Sequence, residues 1–313
     1  MTNIPMTDIK IFAPATVANV SCAFDVLGFA LDNVGDEMTF LKTNNKGVQI
    51  KMLGNSNLPT GPKKNVAGVV AIEMLKETNA NFGVHIEIDK KIKPGSGIGS
   101  SAASAAGAAY GVNKLLGDKF NSTELVQFAM IGEALASGIP HADNVAPAIF
   151  GGFALVRNYS PLDIIKINSP KQLFSTIIHP QIEVKTENAR KILKKDVLLK
   201  DAVEQWGNIA GLISGLYTDN YELIGRSLQD KIVEPVRSML IPLFNEVKQS
   251  FMEAGALGGG ISGSGPSIFA LSRGQDMAEK VAIEMQKVYA RTGIDFDIHV
   301  SGINPEGIKE ILN

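Results

Sequence analysis

The stretch Gly95-Ser96-Gly97-Ile98-Gly99-Ser100-Ser101 constrains this chain more than any other. It follows Val84 to Lys90, where Val-His-Ile-Glu-Ile-Asp alternates as a half-buried strand does. It precedes Ala102 to Leu116, which is rich in helix formers. A strand, a glycine-rich loop and a helix in that order aim the helix's free N–H groups and the positive end of its dipole at the loop. Such a place binds anions, phosphate above all. Glycine at alternate positions lets backbone approach a ligand closely. No Gly-Lys-Ser/Thr occurs in the chain, so the loop is not a Walker A loop, and Gly-x-Gly-x-Gly is not the dinucleotide spacing.

Ser100 and Ser101 add hydroxyls at the helix start, where a serine can ligate the Mg²⁺ that accompanies a nucleoside triphosphate. A carboxylate to share that ion is Glu133. The spacing predicts a helix from Thr123 to Ala136, N-capped by Ser122 and stopped by Gly138 and Pro140. Glu133 lies near its C-terminal end, where a carboxylate opposes the dipole, between Ala129 and Ala136 on a small apolar face.

With 313 residues the chain is long for one core and predicts two domains, divided as 1–160 and 161–313, with Arg157 to Pro161 as the linker. Net charge is −2 and aromatics are sparse, which argues against a nucleic-acid partner. Cys22 is the one cysteine, so neither an intramolecular disulfide nor a cysteine cage for a metal is available. Met1 to Phe12 does not read as a signal peptide, and no run of about 18 apolar residues predicts a membrane span. The expectation is a cytoplasmic protein.

Elsewhere, residues 8–13 read as a strand that ends at Ala13-Pro14. Residues 36–54 read as a hairpin turning at Asn44-Asn45-Lys46-Gly47, and Asn65 to Glu77 as a helix. The second half alternates strands and helices. A second glycine-rich loop is expected over Gly258 to Pro266, between a helix and a buried strand. The mixed order predicts an α+β protein.

Three separated segments resemble the motifs of the GHMP kinases: Ala13 to Gly28 (Ala-Pro-Ala-Thr-Val-Ala-Asn-Val-Ser-Cys-Ala-Phe-Asp-Val-Leu-Gly), the loop 95–101 continued to Ala103, and Gly260 to Pro266. Further segments are similar to that family's homoserine-phosphorylating branch: Gly132-Glu133 with His141-Ala142-Asp143-Asn144-Val145-Ala146-Pro147, Thr186-Glu187-Asn188-Ala189-Arg190, and Glu234-Pro235-Val236-Arg237. Two details depart from the family pattern. Lys93 stands where proline is common, with Pro94 after it, and Cys22-Ala23 replaces a small residue plus glycine.

The resemblance implies an N-terminal domain like the second domain of ribosomal protein S5, with a left-handed βαβ unit, and a ferredoxin-like C-terminal domain. It implies ATP and Mg²⁺, phosphorylation of the side-chain hydroxyl of L-homoserine on the way to threonine, and a homodimer. The alternatives are a mevalonate- or shikimate-type GHMP kinase, or a non-catalytic ATP or metabolite sensor. ATP falls to Asn65, at the adenine, and to Pro94, Gly95, Ser96, Gly97, Ile98, Gly99, Ser100, Ser101, Ala102 and Ala103; Mg²⁺ falls to Ser101 and Glu133. The amino acid falls to Asn19, Asp25, His141, Asn144, Thr186, Arg190 and Arg237. Arg190 and Arg237 suit a carboxylate because guanidinium binds it in a fork, and Asn19 and Asp25 suit the ammonium or the hydroxyl. Asp25, Asn144 and Glu133 are the catalytic candidates, with Asp25 open between a base and an ammonium contact.

Overall fold

A computed structural model describes residues 8–54 and 57–311. The reading of Met1 to Phe12 therefore lies partly outside the described residues. Strands β1 (Asp8–Ala18), β2 (Leu27–Thr43), β3 (Gly47–Leu53), β4 (Gly83–Asp89), β5 (Phe153–Tyr159) and β6 (Leu162–Ile167) build the first sheet. Its order is β11-β1-β2-β4-β3, where β11 (Lys309–Glu310) returns from the far end of the chain, and β5 and β6 extend from the first part of β2. Helices α1 (Val66–Glu77), α2 (Ser100–Leu116), α3 (Ser122–Ser137) and α4 (Val145–Phe150) complete this half.

The hairpin expected over 36–54 does not form. β4 lies between β2 and β3, antiparallel to the first and parallel to the second, with Phe40 opposite Ile86 and Ile50 opposite Ile86. The local turn at 44–47 is present, but Val84, Ile86 and Ile88 bury one whole face of β4, which favours a central position. β3–α1–β4 is thus the parallel unit that the family resemblance implies. β1 also runs past Pro14 to Ala18. Its ladder with β2 shifts register between Pro14 and Thr16, a bulge that accommodates a residue without an N–H.

Asn121, not Ser122, caps α3. Its side chain accepts from Glu124 N while the Glu124 carboxylate accepts from Asn121 N, a reciprocal capping box. The expected linker at 157–161 instead turns β5 into β6, so the chain leaves the first sheet only after Ile167.

The second sheet has the order β10-β7-β9-β8, all antiparallel: β7 (Leu173–Pro180), β8 (Gly258–Ile261), β9 (Ile268–Arg273) and β10 (Phe296–Gly302). Between β7 and β8 lie α5 (Thr186–Lys191), α6 (Leu199–Tyr217), α7 (Tyr221–Ser227), α8 (Glu234–Arg237) and α9 (Phe244–Ala254), and α10 (Gln275–Tyr289) precedes β10. Strand–helix–strand–strand–helix–strand in this order is the ferredoxin-like pattern. The segment 258–261, expected to be loop, is a strand. A Cβ on Gly259 would lie 2.1 Å from Phe269 O, so only glycine allows the ladder to close there.

α2 lies directly on the first sheet. A Cβ on Gly111 would sit 2.3 Å from the Phe40 ring and one on Gly107 2.4 Å from Met38 Sδ. Its alanines are buried, and this close seat fixes where its N-terminus points. Among the described residues no helix is long and apolar enough to cross a membrane.

Candidate active site

Gly95, Gly97 and Gly99 take φ of +76°, +82° and +70°, the left-handed region that favours glycine. Gly99 is the N-cap of α2 and offers no side chain, so no side-chain oxygen caps the first amides of the helix. The second glycine-rich segment holds the loop from behind. Ser262 Oγ donates to Gly97 O at 2.7 Å and Ser267 Oγ to Ser96 O at 2.6 Å. On the other side Thr16 N donates to Ile98 O at 3.1 Å, and Thr16 Oγ1 donates to Asn144 Oδ1 at 2.8 Å beside Gly99. Both ends of the chain thus build one rigid anion cradle.

Beneath α2 sits an ion pair that the motifs did not reveal. Lys90 Nζ donates to Asp36 Oδ2, to Ser100 O and, at 3.0 Å, to Ser104 Oγ. Asp36 is fully buried, and its other oxygen accepts from Lys91 N and Ile92 N at 2.8 and 2.9 Å. Burial pulls the Lys90 ammonium down, and Asp36 and then Glu133 hold it up. Lys90 also lines the cleft, so it adds a cation to the positive helix end. Its signal in the sequence was a lysine ending an alternating strand, and its partner lies 54 residues away. Lys90→Met is expected to cost about 3–5 kcal/mol, because it leaves Asp36 buried without its counter-charge. Denaturant midpoints of the variant against wild type measure this.

Glu133 on α3 is buried, 6% exposed, and its Oε1 has no hydrogen-bond partner among the described residues. Burial pushes its carboxyl up, and the Ser101 hydroxyl and the Lys90 charge pull it back. An unpartnered buried carboxylate oxygen beside a helix-start serine suits a cation. Among the described residues no group of three or more His, Cys, Asp and Glu forms a ready metal cage.

One cleft of about 910 Å³ joins this cradle to the charged end of the site. Of the expected residues its walls include Asn19, Asp25, Pro94, Gly95, Gly97, Gly99, Ser100, Ser101, Glu133, His141, Asn144, Thr186, Arg190 and Arg237. Ser96, Ile98, Ala102 and Ala103 lie behind the lining and support it. Asn65 is not on the wall either. Its Oδ1 accepts from Ala67 N and Gly68 N, capping α1, and its Nδ2 donates to Pro59 O; its neighbours Lys64 and Val66 face the cleft instead.

At the charged end, Arg190 and Asp25 form a two-pronged pair, Nη1 to Oδ2 at 2.9 Å and Nη2 to Oδ1 at 2.8 Å. Arg190 Nη2 also donates to His141 Nε2 at 3.1 Å. Arginine has only donors, so that Nε2 carries no proton and the imidazole is neutral. Burial and the Arg190 charge lower His141, in agreement. Asp25 has φ +59° and its N–H donates to Asn19 Oδ1 at 2.8 Å, while Asn19 Nδ2 donates to Gly263 O at 2.8 Å. The departure at Cys22-Ala23 therefore leaves the Asp25 turn locked. Thr186 Oγ1 lies 3.3 Å from Ser264 Oγ.

Arg237 is 2% exposed, and its guanidinium donates only to carbonyls, Ala189 O at 3.0 Å and Gly263 O at 3.1 Å. Among the described residues it has no ion pair within reach. Burial and the neighbouring Arg190 lower it to about 10, so it stays cationic at neutral pH. The Phe24 ring faces both guanidiniums, 5.3 Å from Arg190 Cζ and 4.8 Å from Arg237 Cζ. An aromatic ring near two like charges eases their approach. Phe24, Tyr159 and Asp143 are site residues that pattern reading did not single out. Tyr159 Oη donates to Asp25 O at 3.1 Å, and Asp143 is buried and raised to about 7 by burial and by Asp25. Aromatic and acidic residues inside a motif carry no local sign of what they touch.

An uncapped helix end and a pocket holding two arginines face one cleft, an arrangement that suits a phosphotransferase of small molecules. The chain belongs to the GHMP kinases: the model of their N-terminal domain matches residues 65–152 and that of their C-terminal domain residues 211–291. It is 47% identical to the homoserine kinase of Chloroherpeton thalassium, over 97% of this chain and 99% of that one. Its identity to the homoserine kinase of Methanococcus vannielii is 40%, over 92% and 97%. The crystal structure of homoserine kinase from Cytophaga hutchinsonii superposes with a TM-score of 0.94 at 50% identity, covering 99% of each chain. The mevalonate kinase of L. major, 16% identical with a TM-score of 0.73 over 95% and 97% of the two chains, shares the fold alone.

Proposed function

We propose that this chain transfers the γ-phosphoryl group of ATP to the side-chain hydroxyl of L-homoserine, a step toward threonine. The observation that carries the reading is Arg237: a buried cation with no anionic partner among the described residues, beside the Asp25–Arg190 pair. A substrate with one carboxylate and one ammonium satisfies that arrangement. Arg237 and Arg190 hold the carboxylate, and Asp25, with Asn19 fixing its turn, holds the ammonium. His141 keeps Arg190 in place, Thr186 closes the rim, and Asn144, tied to Thr16 beside Gly99, directs the hydroxyl toward the phosphate end.

The loop amides, the α2 dipole and Lys90 hold the ATP phosphates and stabilise the charge spread over the transferred group, which a loose transition state demands. Ser101 and the free Glu133 Oε1 fit Mg²⁺, which when bound neutralises phosphate oxygens. The chain's own part is positioning and charge, with no side chain assigned to remove the hydroxyl proton. In this reading the two domains meet in segment 168–172, because β6 belongs to the first sheet.

ADP release with L-homoserine, L-serine, L-threonine and mevalonate, and with 4-hydroxybutanoate as the analogue lacking the ammonium, tests the proposal. L-Homoserine is expected to turn over fastest, and 4-hydroxybutanoate at roughly 10²-fold lower kcat/KM or less, since it leaves Asp25 unpaired. Fast turnover of mevalonate would move the chain to another branch of the family, and ATP binding without turnover of any of them would make it a sensor.

A further inference from the structure

The charged end of the cleft is built from two pieces that lie far apart in the chain and are poor at holding their own shape. The loop 19–26, between β1 and β2, carries Asn19, Ser21 and Asp25 at φ of +56°, +50° and +59°, left-handed backbone that non-glycine residues adopt at a cost. The other piece is α8, a helix of four residues that ends at Arg237. One turn is too short to sustain itself, and its N-cap Val233 offers its first amides no side-chain oxygen. Both pieces need a restraint from outside.

One restraint serves both. Gln205 lies on the buried side of α6 and is 5% exposed. Its Nε2 donates to Cys22 O at 2.7 Å and to Asp230 Oδ1 at 2.9 Å, and its Oε1 accepts from Lys231 N at 2.9 Å. Two acceptors on one side and a donor on the other fix the amide, since a flip would lose all three bonds. Asp230 carries the link onward. Its Oδ1 also accepts from Ile232 N at 2.9 Å and Val233 N at 3.0 Å, and its Oδ2 accepts from Glu234 N at 2.8 Å. The carboxylate thus supplies the amides at the entry to α8 with the oxygens that the N-cap lacks.

These bonds pass behind the pocket, not through it. Neither Gln205 nor Asp230 lines the cleft. Asp230 faces a small cavity on the far side of the wall, and the wall between the two is Asn19, Arg237 and Gly263. Burial and Arg190 lower Arg237, while Asp25 and then Asp230 hold it up.

We infer that Gln205 and Asp230 are positioning residues for the amino-acid pocket, which set the gap between Asp25 and Arg237 by tying the loop 19–26 to α8. The inference rests on the proposed substrate reading. In an α-amino acid the ammonium and carboxylate sit on one carbon, so covalent geometry fixes their separation and the pocket must hold its own charges at a matching one. The phosphate end has restraints of its own in Thr16, Ser262 and Ser267 and does not share this one.

Gln205→Met and Asp230→Asn test this. Methionine keeps the length and helix propensity and removes the three bonds, and asparagine keeps the size and one acceptor oxygen. Each variant is expected to raise KM for L-homoserine by roughly 10- to 10²-fold, the scale of a small misplacement, with kcat and KM for ATP within a few-fold of wild type. The preference for L-homoserine over 4-hydroxybutanoate should narrow, because the two charges no longer meet both partners at once. In the unliganded variants, amide hydrogen exchange should quicken over 19–27 and stay slow over 95–104. A merely structural role predicts that the affinities for L-homoserine and ADP fall together, which would overturn the inference. An L-homoserine KM that does not move would also overturn it, whatever the exchange shows. Asp230→Asn is the milder change, so one folded variant remains to decide the matter should Gln205→Met not fold. If wild type fails to turn over L-homoserine, the kinase reading fails by itself, and exchange over 19–27 still decides whether the link restrains the loop.

Discussion

Glu133→Gln is expected to lower kcat for ADP formation by roughly 10²–10³-fold, the scale of losing one preorganised charge at a transition state. The fold should survive. Glu133 is buried with an unpartnered Oε1, so its ionised form is a cost to the unliganded protein. Burial raises its folded pKa above the unfolded value. A raised group contributes stability below the unfolded pKa and loses it as pH rises through the folded one. The unliganded wild type should thus gain from acid at this site, and the glutamine variant should lose that pH dependence while melting no lower at neutral pH. Mg²⁺ with a nucleotide should stabilise wild type strongly at neutral pH and the variant little. Equal nucleotide-linked stabilisation of both proteins would remove Glu133 from the metal site. A kcat within a few-fold of wild type would remove it from catalysis.

The parts legible in the sequence were those with a local signature. Gly95, Gly97 and Gly99 declared a left-handed backbone, and α2 declared itself through its alanines; together they fixed the anion end. The alternation in Val84 to Asp89 gave β4 but not its neighbours. Pairing depends on residues far apart, so β4 entered between β2 and β3 and undid the hairpin that Asn44 to Gly47 suggested. Lys90 and Asp36 failed to show for the same reason. Each looks ordinary alone, and burial is what gives the pair its meaning. The cap at Asn121 and the hairpin across 157–161 were misplaced because several residues nearby had the same propensities.

The substrate end was legible only through whole motifs. Nothing in a lone arginine says that it is buried, yet Arg237 owes its part to burial, and Arg190 owes its part to Asp25, 165 residues away. Phe24, whose ring lies near both guanidiniums, eases a repulsive arrangement. Like charges held close cost energy in the free protein, and the carboxylate of the proposed substrate would recover it on binding. In the proposed reading the pocket is therefore selective through the groups left unpaired by the wrong ligand.

Asp25→Asn follows from that logic and carries the second large effect. In the unliganded site Asp25 and Arg190 satisfy one another through two hydrogen bonds. Homoserine carries both complements, so in the proposed reading its carboxylate takes up the arginines on binding and its ammonium takes up Asp25. Asparagine keeps the size and the Asn19-locked turn but loses the charge. A charged hydrogen bond is worth about 2–3 kcal/mol, so KM for L-homoserine should rise by about 10²-fold with kcat within a few-fold of wild type. A general base at Asp25 predicts the reverse, a collapsed kcat and a nearly unchanged KM. The affinity for ATP, held at the other end of the cleft, should not move in either case. The variant should also narrow the gap between L-homoserine and 4-hydroxybutanoate, because the ammonium no longer meets a carboxylate. A wild-type preference that survives Asp25→Asn would place the ammonium elsewhere in the cleft and leave the Asp25–Arg190 pair a purely structural clamp.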